Sequence, residues 1–503
     1  MQLTALLERT PYTLIRGSGD IDITGVVYDS RKAGPGSLFI AINGFRTDSH
    51  NFLPKVAEQG AAAVVIEKNW SELPAVTRRV LSDADITVVK AGNGREALAL
   101  LSAAWFGYPT EKLTVIGMTG TKGKTTSTHM LMAILEAAGK KAGMIGTNGI
   151  RVLDEHFTTK NTTPEPYDIQ RYAAYMLEKG CEYMVMEVSS TGIKYHRADG
   201  IDFDYGVYTN LSPDHIGPDE HPDFADYLAS KAKLFTRCRI GIFNRDDEHF
   251  PEIYAGHSCR AVSFGVGEKP FTEGVTDDYA VTELSYENRG GSLGTQIRTA
   301  NGRLDFYVGM PGLFNVYNAL SAAVTADLLG IPAEAIREGL AGVRVNGRME
   351  VVLRGDFTAL VDYAHNGVSA RTLLETLRAY DPARLVVVFG CGGNRDPHRR
   401  YEMGEASGKY ADLSIVTADN SRFESVESIM KDIHIGLDPT GGKSVDIPDR
   451  REAIRYAIKH AEKGDIIAVI GKGHEDYQEV EGVRHHFLDR EEIENAAKEF
   501  GVG

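Results

Sequence analysis

Cysteine is scarce in this 503-residue sequence: Cys181, Cys238, Cys259 and Cys391 lie far apart, with no CxxC spacing. That argues against a disulfide framework and a thiolate zinc site, and it fits a reducing compartment. No apolar run approaches the length of a membrane-crossing helix, so no membrane partner is expected. The beginning, MQLTALLERTPYTLIRG, has neither the basic start nor the long apolar core of a signal peptide, and a cytoplasmic protein is the expectation. Positive charge is in deficit. Lys and Arg number 55 against 70 Asp and Glu, a net charge of −15. This speaks against nucleic-acid binding but leaves room for local phosphate pockets. Internal repeats and low-complexity tracts are missing too, and a monomer is expected.

What is present is length and an ordinary globular composition, 42% hydrophobic and 25% charged. So long a chain predicts two to four domains. Strand-like runs (GSLFIAI, AAAVVIE, YMVMEV, RLVVVFG, DIIAVIG) alternate with amphipathic helical stretches, the pattern of parallel sheets covered on both faces. The predicted fold class is α/β in three domains. Residues 1–110 form an N-terminal α/β block, ended by Tyr108-Pro109-Thr110. Residues 111–345 form a central parallel-sheet block with a small antiparallel appendage at 278–309. Residues 346–503 restart the alternation as a Rossmann-like block without a glycine-rich loop of its own.

The most informative stretch is LTVIGM-TGTKGKTT-STHM, from Leu113 to Met130. It reads as buried strand, glycine-rich turn and helix start. Gly117, Gly120 and Gly123 are expected to let the backbone curl so that N–H groups face an anion at the helix N-terminus. Gly120, Thr121, Lys122, Gly123, Lys124, Thr125 and Thr126 make up the loop. Lys124 is placed to neutralise β/γ-phosphate charge, and Thr125 or Thr126 to put a hydroxyl on Mg²⁺. The usual pattern has a glycine where Met118 stands, so a specific subclass of nucleotide site is suggested.

Other polar residues cluster where strands end. Glu187 closes YMVMEV and is either a solvated strand end or a Mg²⁺ ligand. Asp214 and His215, after a further strand, suit a metal ligand, a base or a turn. Read from the residues alone, Lys231 and Lys233 are surface lysines on one helix. The loops Asp29–Lys32 and Gly44–Asp48 read as solvated turns. In the last block Asn394-Arg395-Asp396, Asp419-Asn420-Ser421-Arg422 and Gly471–Asp476 all follow strands of one sheet. Arg395 and Arg422 can grip carboxylates, while Glu475 or Asp419 accepts from an amine. That combination suits a zwitterionic amino acid.

Together these motifs resemble the Mur ligase family over essentially the whole chain. The resemblance rests on YDSR around Asp29, GTKGKTT, NTTPE from Asn161, MEVSS, TNLSPDH, YLASKAKLF, GRME, VDYAH, GCGGNRD, DNSR and GKGHEDYQ, in that order. It implies a three-domain, ATP-dependent amide ligase of cytoplasmic peptidoglycan precursor synthesis. Such a ligase adds meso-diaminopimelate to UDP-N-acetylmuramoyl-L-alanyl-D-glutamate through an acyl phosphate.

By the same resemblance, Ser30, Phe45, Arg46 and Thr47 belong to a uridine-nucleotide domain. Asn161, Thr162, Thr163, Ser189, Tyr195 and Arg197 face the muramoyl dipeptide. Asn315 and His365 lie near the adenosine portion of ATP. Lys124, Glu187, His215 and Lys231 form the catalytic set. Thr125, Glu187, His215 and Lys231 (as a carbamate) serve Mg²⁺. Arg395, Asp419, Asn420, Ser421, Arg422, Gly471 and Glu475 receive the amino acid. Ser421 stands where diaminopimelate-adding members usually carry proline, and Thr191 where histidine is common. The alternatives are therefore L-lysine or another diamino acid, and a divergent folylpolyglutamate-like or cyanophycin-like ligase. An ATP-binding scaffold that has lost catalysis is the rival from another class.

Overall fold

Between Tyr12 and Ala91 five short strands form one sheet. Their order is Tyr12–Arg16, Thr87–Ala91, Ala63–Ile66, Ser37–Ile40, Gly25–Val27. All neighbours run parallel except the first pair. Ser37–Ile40 and Ala63–Ile66 are buried at every position, as expected of strands covered on both faces. One cover is the helix Gly94–Trp105, started by Asn93, whose side chain accepts from the Arg95 and Glu96 N–H groups. The computed structural model describes residues 1–44, 47–217, 220–267, 272–289, 292–300, 302 and 304–502. The Phe45 and Arg46 expectations lie outside the described residues.

Two compact units divide the chain. The first comprises Met1–Gly265, Lys269–Tyr279 and Ser321–Ile331; the second comprises Val266–Glu268, Ala280–Leu320 and Pro332–Gly503. The first unit therefore holds the sheet above and a second, larger one. In that second sheet the strand Thr114–Thr119 lies between Tyr183–Glu187 and Phe203–Tyr208, parallel to both. Ala142–Gly146 extends one side and Cys238–Asn244 and Arg260–Val266 the other. The chain thus leaves Thr114–Thr119 toward one flank and later returns on the opposite one. That reversal opens a crevice at the strand's carboxyl end, the place where such sheets bind ligands. Gly149–Val152 and Glu155–Phe157 add an antiparallel hairpin that the apolar pattern did not reveal.

In the second unit Ser292–Thr299 pairs antiparallel with residues 281–289 and with Phe306–Val308, the predicted appendage. A separate sheet has the order Glu350–Arg354, Thr358–Asp362, Ile466–Ile470, Leu385–Phe389, Leu413–Val416, Ser444–Asp446. It is parallel apart from its first strand. A hairpin, Tyr477–Val480 with Val483–His486, stands beside it. Among the described residues no helix is long and apolar enough to cross a membrane.

Candidate active site

The glycine-rich loop is held by close packing. Gly120 has φ +153°, and a Cβ there would stand 1.9 Å from Thr209 Oγ1. Gly123, at φ +85°, starts the helix Lys124–Ala137. Gly117 departs from expectation: it lies within the strand, and its missing Cβ makes room for the Phe203 ring, 2.7 Å from where that atom would be. Thr209 and Asn210 brace the loop from the neighbouring strand. Thr121 N–H donates to Asn210 O (2.8 Å), Lys122 N–H to Asn210 Oδ1 (2.9 Å) and Thr209 Oγ1 to Lys122 O (2.7 Å). Sequence reasoning quoted these two residues but gave them no task. Lys124 Nζ donates to Gly120 O (2.7 Å) and Thr121 O (3.1 Å).

Glu187 is 2% exposed, and its carboxylate is hydrogen-bonded. Thr125 Oγ1 (2.9 Å), Thr147 N–H (2.9 Å) and Thr147 Oγ1 (3.1 Å) donate to it. A Cβ on Gly146 would come within 2.3 Å of Glu187 Oε1, so glycine there preserves the cradle. Between the two threonines offered by the sequence, Thr125 is the one whose hydroxyl adjoins the carboxylate, while Thr126 is buried. A hydroxyl beside a carboxylate fits Mg²⁺, which takes one or two protein oxygens and completes its shell with phosphate oxygens and water.

Lys231 overturns its reading as a surface residue; Lys233 is exposed as read. The Lys231 side chain is 1% exposed and donates to Gly120 O at 2.8 Å, with Nζ 4.6 Å from the Tyr227 ring centroid. Burial, reinforced by the nearby Lys124 ammonium, drives its pKa well below the usual lysine value, against a smaller pull from Asp214. A neutral amine at the phosphate loop is what carbamylation requires. His215 has φ 55°, and its Nδ1 lies 2.7 Å from Glu220 Oε1. Its neighbour Asp214 pairs with Lys122 at 3.3 Å.

Four of the six residues expected to face the muramoyl dipeptide, Thr162, Thr163, Ser189 and Arg197, form one hydrogen-bonded chain with Glu187. Thr162 Oγ1 lies 3.0 Å from Thr147 Oγ1; Thr163 Oγ1 donates to Glu187 O (2.9 Å) and lies 3.1 Å from Ser189 Oγ. Arg197 donates to Glu165 Oε1 (3.0 Å) and Thr163 O (3.3 Å). Tyr195 OH donates to Glu220 O at 3.2 Å, with Arg95 over its ring, while Asn161 is held locally by Thr159. Ser30 opens a short 3-10 turn, half-buried. Asp29 caps that turn and is gripped by Arg31 through two nitrogens, which lowers its pKa to about 2. Tyr28, 6.4 Å from Tyr167 between ring centroids, joins this loop to the helix that follows NTTPE. Thr47 is exposed.

In the second unit the three expected clusters do meet. Arg422 adopts φ 52°, an uncommon conformation for a non-glycine residue, and its Nη1 donates to Gly393 O at 2.7 Å. Gly393 N–H donates to Asn420 O (2.9 Å), Asn420 Nδ2 to Glu475 Oε2 (2.8 Å) and Tyr363 OH to Glu475 Oε1 (3.4 Å). Asp419, Asn420 and Ser421 are buried, whereas Arg395 is exposed. A Cβ on Gly471 would press to 2.7 Å from Asp419 Oδ2. Lys472, fully buried, was passed over by the sequence reading: it donates to Asn420 Oδ1 (3.3 Å), Glu475 Oε2 (3.5 Å) and Tyr477 O. His365 is exposed, its Nδ1 2.8 Å from Tyr363 O. Asn315 is buried, donating to Pro311 O at 2.7 Å and accepting from Asn318 at 3.2 Å.

Family models described as Mur ligase family catalytic domain, Mur ligase middle domain, and Mur ligase glutamate ligase domain match residues 22–106, 118–326 and 347–473. A protein of Caldanaerobacter subterraneus subsp. tengcongensis, named UDP-N-acetylmuramoyl-L-alanyl-D-glutamate–2,6-diaminopimelate ligase, is 41% identical over 95% of both chains. The chain belongs to the Mur ligase family. A Geobacillus thermodenitrificans relative of the same name is 38% identical, over 99% of this chain and 100% of its own. Among solved structures, one carrying that ligase name superposes with a TM-score of 0.75 at 27% identity, covering 100% of each chain. Family membership makes this an ATP-dependent amide ligase built on mixed α/β sheets.

Proposed function

We propose that this Mur ligase adds meso-diaminopimelate to UDP-N-acetylmuramoyl-L-alanyl-D-glutamate, as its relatives are named for doing. Residues 1–110, 111–345 and 346–503 serve the uridine nucleotide, ATP and the incoming amino acid respectively. The reaction is placed in the cytoplasm, carried out by a monomer. The observation that carries the acceptor is the joining of Asn420, Glu475, Lys472 and Arg422 at one sheet edge, with acid to meet an ammonium and arginine to meet a carboxylate. L-Lysine lacks the second carboxylate that such an arginine grips.

In this mechanism Lys124 and the loop N–H groups bind the ATP phosphates and hold the γ-phosphorus in line with the dipeptide's terminal carboxylate. One carboxylate oxygen bonds to that phosphorus as the bond to ADP breaks. The acceptor's amino nitrogen then bonds to the acyl carbon, phosphate leaves, and the nitrogen gives up a proton. Thr125 and Glu187, with His215 and carbamylated Lys231, would hold Mg²⁺. When bound, Mg²⁺ supplies positive charge that offsets the phosphate oxygens. Thr162, Thr163, Ser189 and Arg197 orient the dipeptide. Glu475 and Asn420 orient the acceptor's distal ammonium.

The test is phosphate release with the UDP-muramoyl dipeptide, comparing meso-diaminopimelate with L-lysine and L-ornithine. Diaminopimelate is expected to give the highest kcat/KM by more than ten-fold. A clear win for lysine would remove the acceptor assignment.

A further inference from the structure

Arg450 and Asp489 are 1% and 0% exposed, and neither was marked by any motif in the sequence. Arg450 Nε and Nη2 each donate to one Asp489 oxygen at 2.7 Å, a two-point grip. The remaining donors go to two backbone carbonyls: Nη1 to Ala418 O (3.2 Å) and Nη2 to Ile470 O (3.0 Å). Ala418 precedes Asp419 and Ile470 precedes Gly471. The carbonyls belong to chain segments leaving two strands, Leu413–Val416 and Ile466–Ile470, that flank a third, Leu385–Phe389. One guanidinium therefore spans the end of the middle strand and ties together the two segments that carry the amino-acid site.

The geometry points to Arg450, held by Asp489, as a positioning residue for the acceptor amino acid. This rests on the site assignment proposed above.

Stability alone is a weak reason for the pair. Desolvating two charges offsets much of their attraction, and buried ion pairs often give way to apolar residues of similar volume without loss. Arg450 also opens the helix Arg450–Lys459, the end of a helix dipole where a cation is disfavoured. An apolar substitute cannot reproduce the bonds to Ala418 O and Ile470 O. Burial works against the Arg450 charge, and Asp489, together with Asp419 and Glu475, more than restores it. Two of those acids belong to the site itself. The guanidinium thus fixes the backbone that enters Asp419 and Gly471 and sets a positive charge near two acids of the site.

The experiment uses full-length enzyme carrying Arg450→Lys, and separately the apolar pair Arg450→Met/Asp489→Leu. Folding is checked by circular dichroism, and initial rates are measured with each substrate varied in turn. Arg450→Lys keeps the charge but loses the planar fork. Both variants are expected to fold and to raise the acceptor KM at least ten-fold, with KM for ATP and for the UDP-muramoyl dipeptide changed less than two-fold. Folded variants with unaltered acceptor KM, or with all three KM values shifted alike, would overturn the inference. So would failure of both variants to fold, which would make the pair a requirement of the fold. Wild-type enzyme with no acceptor-dependent ADP release would overturn the proposed reaction and this inference with it. Acceptor-dependent wild-type turnover beside unchanged variants overturns this inference alone.

Discussion

At the scale of single residues, Lys231 shows how place changes chemistry. Burial under the Gly120 carbonyl and the neighbouring Lys124 charge push its pKa well below the usual lysine value, toward the neutral amine that reacts with carbon dioxide. The carbamate proposed there would put an anionic oxygen donor suited to Mg²⁺ in place of the amine. Lys231→Ala is expected to lower kcat by 100-fold or more, with partial rescue by added acetate or formate. Near-normal turnover would take Lys231 out of the metal site. Carbon-13 NMR after incubation with labelled bicarbonate offers a direct check, a carbamate resonance in wild type that the variant lacks. The family resemblance had singled out Lys231, but the helical pattern of DFADYLASKAKLF had not, because periodicity reports which residues share a face and not what packs on that face. The phosphate loop packs there, and only the fold says so. Lys472, Arg450 and Asp489 escaped notice for the same reason. Glu187 was legible because it ends a strand and Arg422 because it lies in the loop after one, where the sequence pattern itself specifies the position.

At the scale of elements, parallel strands buried on both faces announce themselves as continuous apolar runs, and Thr114–Thr119, Tyr183–Glu187 and Leu385–Phe389 all did. Edge strands do not. Tyr12–Arg16 is exposed at its first three positions, and Glu155–Phe157 is too short and too polar to carry a period. The brace between the segment after Phe203–Tyr208 and the phosphate loop makes an element-level prediction. Asn210→Ala removes the bonds to the Lys122 N–H and the Lys122 carbonyl. At about 1 kcal/mol for each of the two neutral bonds, KM for ATP is expected to rise roughly thirty-fold with little change in acceptor KM. An unchanged ATP KM would show that the loop holds its shape without this brace.

The loop ending at Asp48 makes a second prediction. Burial alone would raise the Asp48 pKa, but bonds from Lys68 and His50 outweigh it and bring the value from 3.8 to about 2. A carboxylate depressed in the folded state contributes stability that is present above its unfolded pKa and lost as pH falls through the folded one. Asp48→Asn should therefore flatten the dependence of unfolding free energy on pH between about 2 and 4. Identical slopes in urea titrations of the two proteins would deny Asp48 this role.

At the scale of the whole molecule, the residues proposed for the ATP phosphates and those proposed for the acceptor amino acid belong to different units. The phosphate loop, Glu187 and Lys231 belong to the first unit, and Arg395, Arg422, Lys472 and Glu475 to the second. A ligand that binds only the native state protects the amides it contacts by raising their opening free energy, by RT ln(1 + [L]/Kd) for one site. At a hundred times Kd this is about 2.7 kcal/mol, near a hundred-fold slowing of exchange. Hydrogen exchange with a non-hydrolysable ATP analogue and Mg²⁺ should therefore slow amides of residues 117–126 and 209–212. Exchange with meso-diaminopimelate alone should slow 391–395, 419–424 and 471–480. Because Arg450 bonds both Ala418 and Ile470, the second ligand should protect the 419–424 and 471–480 segments together rather than one without the other. Protection confined to one of them would show that the two strand ends open independently, and the acceptor site would then be assembled by the ligand instead of standing ready for it.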